Sequence, residues 1–317
     1  MERENEREKN KNEEGTKRKE SGCLMEKQEY REYLEKVRRA SPNTILAYLG
    51  DLEEFDAFLR QNGGGTADKA GNTDVVSYLL HLREKGKSAA TINRKLASIR
   101  VYYRFLSEIG RIDEDPSAGV RSLRAEKKEI EYLTIEEVDR LLGIPDDSVK
   151  GKRDRAILEV LYATGIRVSE LASVRIQDVN LRMGFISCLG PQSKARIIPL
   201  GRPARAALEE YLYDIRKLLV RGNQEEEALF VNYHGGQLTR QGIWKIIREY
   251  AEKAQIGIRI TPQTLRNSFA VHMVQNGADL KSLQELLGHE DISATQIYLT
   301  VTKNRIKEVY DRTHPRA

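Results

Sequence analysis

The chain has 317 residues, enough for about two domains, each with its own core. It carries 53 Lys and Arg against 48 Asp and Glu, a net charge of +5, so a polyanionic partner is permitted, but a surface for it has to come from local segregation of basic side chains. Two cysteines, Cys23 and Cys188, and five histidines, none closely paired, speak against a disulfide framework, a zinc site or a catalytic metal, and no apolar run nears the roughly 20 residues of a membrane span or forms a secretory signal.

A soluble protein of a reducing cytoplasm is therefore expected, with no cofactor, no metal and no membrane partner. Residues 1–22 alternate Glu with Lys and Arg and contain almost nothing apolar, so a disordered or solvated arm is expected there. A helical domain follows at about 23–118. Its first helix runs from Met25 to Arg39. Ser41-Pro42 then gives an N-cap with proline at the first helical position, and the next helix carries Leu46, Leu49, Leu52, Phe55 and Leu59 as one stripe before Gly63-Gly64-Gly65. A third helix, Asp74 to Lys85, shows Val75, Val76, Leu79 and Leu82. A fourth starts at Ser88 and presents Ile92, Leu96, Ile99, Tyr103 and Leu106 on one face. It also displays Arg94, Lys95, Arg100 and Arg104; a charge run of this kind is often a solvated face, but beside the phosphate chemistry read below the row is taken as DNA-facing. Residues 119–131, with Arg121 and Arg124, read as a basic linker.

A second domain is expected over 132–317. Thr134 and Glu137 form a capping box, and a helix from Lys152 to Ala163 stops at Thr164-Gly165. Arg167 lies between that stop and a short helix opened by Ser169-Glu170-Leu171, where its backbone is pinned from both sides. The period then changes: Phe185 to Leu189 and Ala195 to Leu200 read as the strands of a hairpin turning at Gly190–Ser193, with Lys194 beside the turn. Helices at Pro203 to Val220 and Arg240 to Ala254 follow, with a short strand at Leu229–Val231 between them. The fold class is therefore mainly α, an all-α four-helix domain followed by an α+β domain with a small sheet.

From Thr261 to Tyr298, Arg266, His289 and Tyr298 fall in three adjoining segments of helical period. An arginine fork can hold two non-bridging oxygens of a phosphodiester, and Arg167 supplies a second such fork. A tyrosine, with a pKa of about 10, becomes a nucleophile only where positive charge favours its phenolate or a base removes its proton. The set reads as a phosphate clamp with a tyrosine nucleophile. Plainer readings exist for each member: a core aromatic for Tyr298, a helix-end cap for His289, and an edge-strand lysine for Lys194. His81, His234, His272 and Cys188 read as structural.

The blocks Ala163–Leu171, the Lys194 hairpin, Thr264–Ala270, Asn276–Leu280, Leu286–His289 and Thr295–Tyr298 closely resemble the tyrosine recombinases, nearest to the Xer site-specific recombinases. The helical domain resembles, more loosely, their core-binding domain. The resemblance implies that Arg167 and Arg266 clamp the scissile phosphate, that Lys194 is the general acid for the departing 5′ oxygen, that His289 hydrogen-bonds the phosphate, and that Tyr298 forms a 3′-phosphotyrosine. It further implies a C-shaped grip on double-stranded DNA. A tail helix at Thr302–Arg312, with Ile306, Val309 and Tyr310 at helical spacing, would dock into a neighbouring protomer of a tetramer. Gln263 and Asn267 depart from the pattern, standing where histidines are usual. Gln263 can donate an amide hydrogen but cannot exchange a proton near neutral pH, which implies an active but slower enzyme. Dimer resolution, plasmid or viral integration, a type I topoisomerase and a DNA-binding protein with lapsed chemistry share this pattern.

Overall fold

The computed structural model describes residues 27–63, 65–124, 129–223 except 190–194, and 225–299 except 290; the expected charged arm, Lys194 and the expected tail helix fall outside the described residues. The chain divides into two compact units, Met1–Lys127 and Lys128–Ala317. No helix among the described residues is long and apolar enough to cross a membrane.

Among the described residues the regular elements of the first unit are all helical: α1 (27–37, its last turn a π-turn at Tyr33–Val37), α2 (Pro42–Gln61), α3 (Asn72–Glu84) and α4 (Ala89–Glu108). The caps follow from sequence: Ser41 and Ser88 accept hydrogen bonds from the amides three residues on, satisfying donors that a helix start leaves open. Tyr30, Phe55, Tyr78, Leu82, Leu96 and Tyr103 form the centre of the core. On α2 the buried face is Ile45, Leu52, Phe55 and Leu59, while Leu46, expected in that stripe, is 61 % exposed because it sits one residue step around the helix. The expected linker is also shorter at its start. Val120 is buried in this core, Leu123 packs against it, and Asn93 exchanges hydrogen bonds with the Leu123 backbone, so 119–124 belong to the first unit.

The second unit is built on α6 (Val149–Thr164), whose Ala156, Ile157, Leu158, Val160 and Leu161 are all buried. Around it lie α5 (Ile135–Gly143), α7 (Val168–Ser173), α8 (Arg202–Glu210), α9 (Arg216–Leu219) and α10 (Arg240–Lys253). A π-turn, Tyr211–Ile215, joins α8 to α9 in one helical run. The sheet is β1 (Val179–Asn180), β2 (Phe185–Leu189) and β3 (Ala195–Pro199), antiparallel in that order, with Ile186 opposite Ile198. Leu229–Val231 is no strand. Isolated bridges at Ala228 and Val231 flank a bend whose side chains are buried, because the segment has no neighbouring strand long enough to form a ladder. A smaller core of Phe269, Ala270, Val271, Val274, Leu283, Leu287 and Tyr298 joins α11 (Pro262–Gln275), α12 (Leu280–Leu287) and α13 (293–299).

Candidate active site

Three of the expected residues, Arg167, Arg266 and His289, meet at the C-terminal end of α12, and Tyr298 stands near enough to feel the charges of both arginines. Gly165 ends α6 in the left-handed region at φ 56°, and Arg167 caps α7, its amide donating to Glu170 Oε2 at 2.8 Å. The Arg167 guanidinium donates to Glu170 Oε1 at 2.9 Å and to the carbonyl of Gly288 at 3.1 Å. Arg266, on α11, is 3 % exposed; its guanidinium donates to the carbonyls of Gly165 and Leu287, the latter at 2.6 Å. Burial and the neighbouring Arg167 charge lower its pKa to about 10, well above neutrality, so it remains a cation.

Two residues absent from the sequence-based set complete this cluster. Glu170 is 8 % exposed and receives a bidentate hydrogen bond from Arg196 at 2.9 and 2.8 Å as well as the bonds from Arg167. Despite burial its carboxyl is held below the usual range by the Arg196 hydrogen bond, the Arg167 amide and both positive charges. Arg196, on β3, also donates to the carbonyl of Leu286 at 3.0 Å. The signals were local: Glu170 stands three residues after Arg167 at a helix start, and Arg196 is a charged residue on a strand otherwise rich in apolar side chains. Three arginines therefore address three successive carbonyls, Leu286, Leu287 and Gly288, at the partial-negative end of α12.

His289 follows directly. Its Nε2 lies 3.0 Å from Arg266 Nη2 and its Nδ1 lies 2.8 Å from the Thr295 hydroxyl. Burial first, then the charges of Arg266, Arg167 and Arg196, push its pKa down to about 4, so the ring is neutral at physiological pH.

Tyr298 is 1 % exposed, fixed in the smaller core by its ring. Its hydroxyl donates to Asn267 Oδ1 at 3.2 Å. Burial raises its pKa and the charges of Arg266 and Arg167 pull the other way; burial wins, so the resting group is a phenol. Asn267 donates from Nδ2 to the carbonyl of Glu131 at 3.0 Å, and since that carbonyl can only accept, the amide orientation is determined. Gln263 is exposed and donates from Nε2 to the same Oδ1 at 2.9 Å. The two departures from the family pattern are thus bonded to each other and, through Asn267, to the tyrosine. Lys194 lies outside the described residues.

On α4 the reading of a uniformly DNA-facing row needs correction. Lys95 is 6 % exposed, with its ammonium between Asp51 Oδ1 at 2.9 Å and Glu54 Oε2 at 2.8 Å. Those carboxylates come from α2, which the α4 sequence alone does not reveal; a buried lysine keeps its charge only beside such partners. Arg94 makes a bidentate pair with Asp51 at 2.6 and 2.8 Å, and Arg100 bonds the Val120 carbonyl. Arg104, Arg121 and Arg124 are exposed.

Comparison with known proteins agrees with this geometry. Residues 131–305 match the model of the phage integrase family, and 28–110 match the N-terminal SAM-like domain of phage integrases. The chain is 45 % identical over 286 residues to the tyrosine recombinase XerD of Oceanobacillus iheyensis, covering 90 % of this chain and 96 % of that one. Among solved structures, XerA recombinase is 26 % identical with a TM-score of 0.52, covering 92 % of this chain and 100 % of the other. A lambda integrase tetramer bound to a Holliday junction superposes with a TM-score of 0.69 at 17 % identity, covering 87 % of this chain and 76 % of that one. The chain belongs to the phage integrase family, as a tyrosine recombinase.

Proposed function

We propose that the protein is a site-specific DNA recombinase of the Xer type, which cuts and rejoins duplex DNA through a 3′-phosphotyrosine and resolves chromosome or plasmid dimers. The observation that supports this most is the meeting of Arg167, Arg266, His289 and Tyr298 within one unit, with Tyr298 under the electrostatic influence of both arginines.

In the proposed reaction Arg167 and Arg266 hold the non-bridging oxygens, exchanging helix-end carbonyls for phosphate. The Tyr298 oxygen attacks phosphorus, its proton leaving to solvent because the Asn267 amide can orient the hydroxyl but cannot take a proton. The bond from phosphorus to the 5′ oxygen breaks as Lys194 protonates that oxygen, and the 5′ hydroxyl of a second strand reverses the step. The phosphotyrosine keeps the bond that is later resealed, so this chemistry draws on no nucleotide, metal or other cofactor. Arg104, Arg121 and Arg124, with the outer edges of Arg94 and Arg100, contact phosphates of double-stranded DNA. Protomers assemble as a tetramer on paired sites, a stoichiometry that the lambda integrase tetramer of the same fold supports, and each passes its tail helix to a neighbour.

The test is a nicked suicide substrate carrying the binding site, incubated with wild type and with Tyr298→Phe. Wild type is expected to form a covalent protein–DNA adduct and the phenylalanine variant none; absence of an adduct with wild type, or equal adducts with both, sinks the reading. Sequencing the DNA recovered from the adduct defines the target.

A further inference from the structure

Thr295 touches the site in a way the proposed reaction does not use. It is fully buried on α13, and its hydroxyl is the partner of His289 Nδ1. On the other side of the ring a guanidinium, which can only donate, faces Nε2. Nε2 therefore accepts, the proton of the neutral imidazole is on Nδ1, and Nδ1–H donates to Thr295 Oγ1. The charged groups that face the ring are Arg266 on α11, Arg167 ahead of α7, Arg196 on β3 and Glu170 on α7; burial first, and then the three cations, keep the ring neutral. To hydrogen-bond a phosphate oxygen, however, Nε2 has to carry the hydrogen. A hydroxyl can accept from Nδ1–H or donate to a bare Nδ1, so this one side chain can partner the ring in both states with no heavy atom moving.

We propose that Thr295 is a positioning residue for His289: its hydroxyl holds the ring proton on Nδ1 while the protein is free of DNA, and turns from acceptor to donor when Nε2 presents its own N–H to the scissile phosphate. In that exchange Nδ1 releases one proton to solvent and Nε2 takes one up, so the ring stays neutral throughout. Valine, of the same shape, serves neither state. Serine serves both.

The inference rests on reading His289 as a phosphate ligand, and its test separates the two. In DNA-free protein with isotope-labelled histidines, nitrogen chemical shifts report which ring atom is protonated, with His289→Gln identifying the signal. The expected pattern is a protonated Nδ1 and a bare Nε2; the reverse overturns the inference whether or not the protein recombines. Thr295→Val is expected to disturb that pattern and to slow single-turnover cleavage about tenfold or more, by analogy with the loss of an orienting partner behind a metal-binding imidazole. Half-site binding should hold, and Thr295→Ser should recover most of the loss. A valine variant that cleaves like wild type, or a serine variant as slow as valine, overturns the proposal, and if valine fails to fold the wild-type shifts and the serine variant still decide it.

Discussion

Gln263 and Asn267 occupy the positions where this chain departs from the tyrosine recombinase pattern, and each touches the other rather than standing alone. Asn267 Oδ1 receives the hydroxyl of Tyr298 and the amide of Gln263. Neither side chain titrates near neutrality, so the tyrosine is oriented by a group unable to remove its proton. Gln263→His is therefore expected to speed cleavage several-fold, with the gain concentrated above about pH 7, where an imidazole is neutral and can act as a base. The measurement is the single-turnover rate from about pH 6 to 9. A rate no faster anywhere in that range removes the account of this departure.

The elements that present the site depend on two turns of left-handed backbone, Gly165 after α6 and Gly288 after α12. A methyl group on Gly165 would meet the ring of Phe269, and one on Gly288 would come 2.9 Å from the Arg196 guanidinium. Gly165→Ala should therefore cost at least the roughly 1–2 kcal/mol of forcing an L side chain into that conformation, and should also shift the carbonyl that Arg266 grips. The expected outcome is a lower melting temperature together with slower cleavage; an alanine variant that cleaves and melts like wild type contradicts this role. Much at this scale was legible in the chain. The Ser41 cap, the Thr134 capping box and the stop at Gly165 were read from residue types, because each is a local hydrogen-bonding requirement. Arg266 and Tyr298 were singled out through their blocks. What stayed hidden was pairwise and distant: Lys95 looked like a surface cation because its carboxylates lie 41 and 44 residues away on α2, and Arg196 looked ordinary because Glu170 lies 26 residues earlier. The exposure of Leu46 and the bend at Leu229–Val231 depend on neighbours that periodicity does not name.

At the scale of the whole molecule, the two units have separate cores, one of aromatic and aliphatic helix faces, the other centred on α6 with an annex that fixes Tyr298. Tyr298, Arg167 and Arg266 lie in one unit of one chain, and the proposed exchange between protomers assigns that role to the segment after α13. Truncation before Thr302 is expected to reduce recombination much more than the binding of one protomer to half a site, measured by gel shift alongside product formation. Equal losses in both would remove the tail from the assembly.

The end of α12 gathers three guanidinium groups before any polyanion arrives. Its carbonyls act as a placeholder, offering partial negative charge at the spot where a full negative charge is later wanted. The like charges are tolerated there but not neutralised, since Glu170 balances only one of them. The cluster therefore keeps an excess of positive charge, and on the proposed reading the backbone of a double helix would relieve that repulsion by adding the missing negative charge.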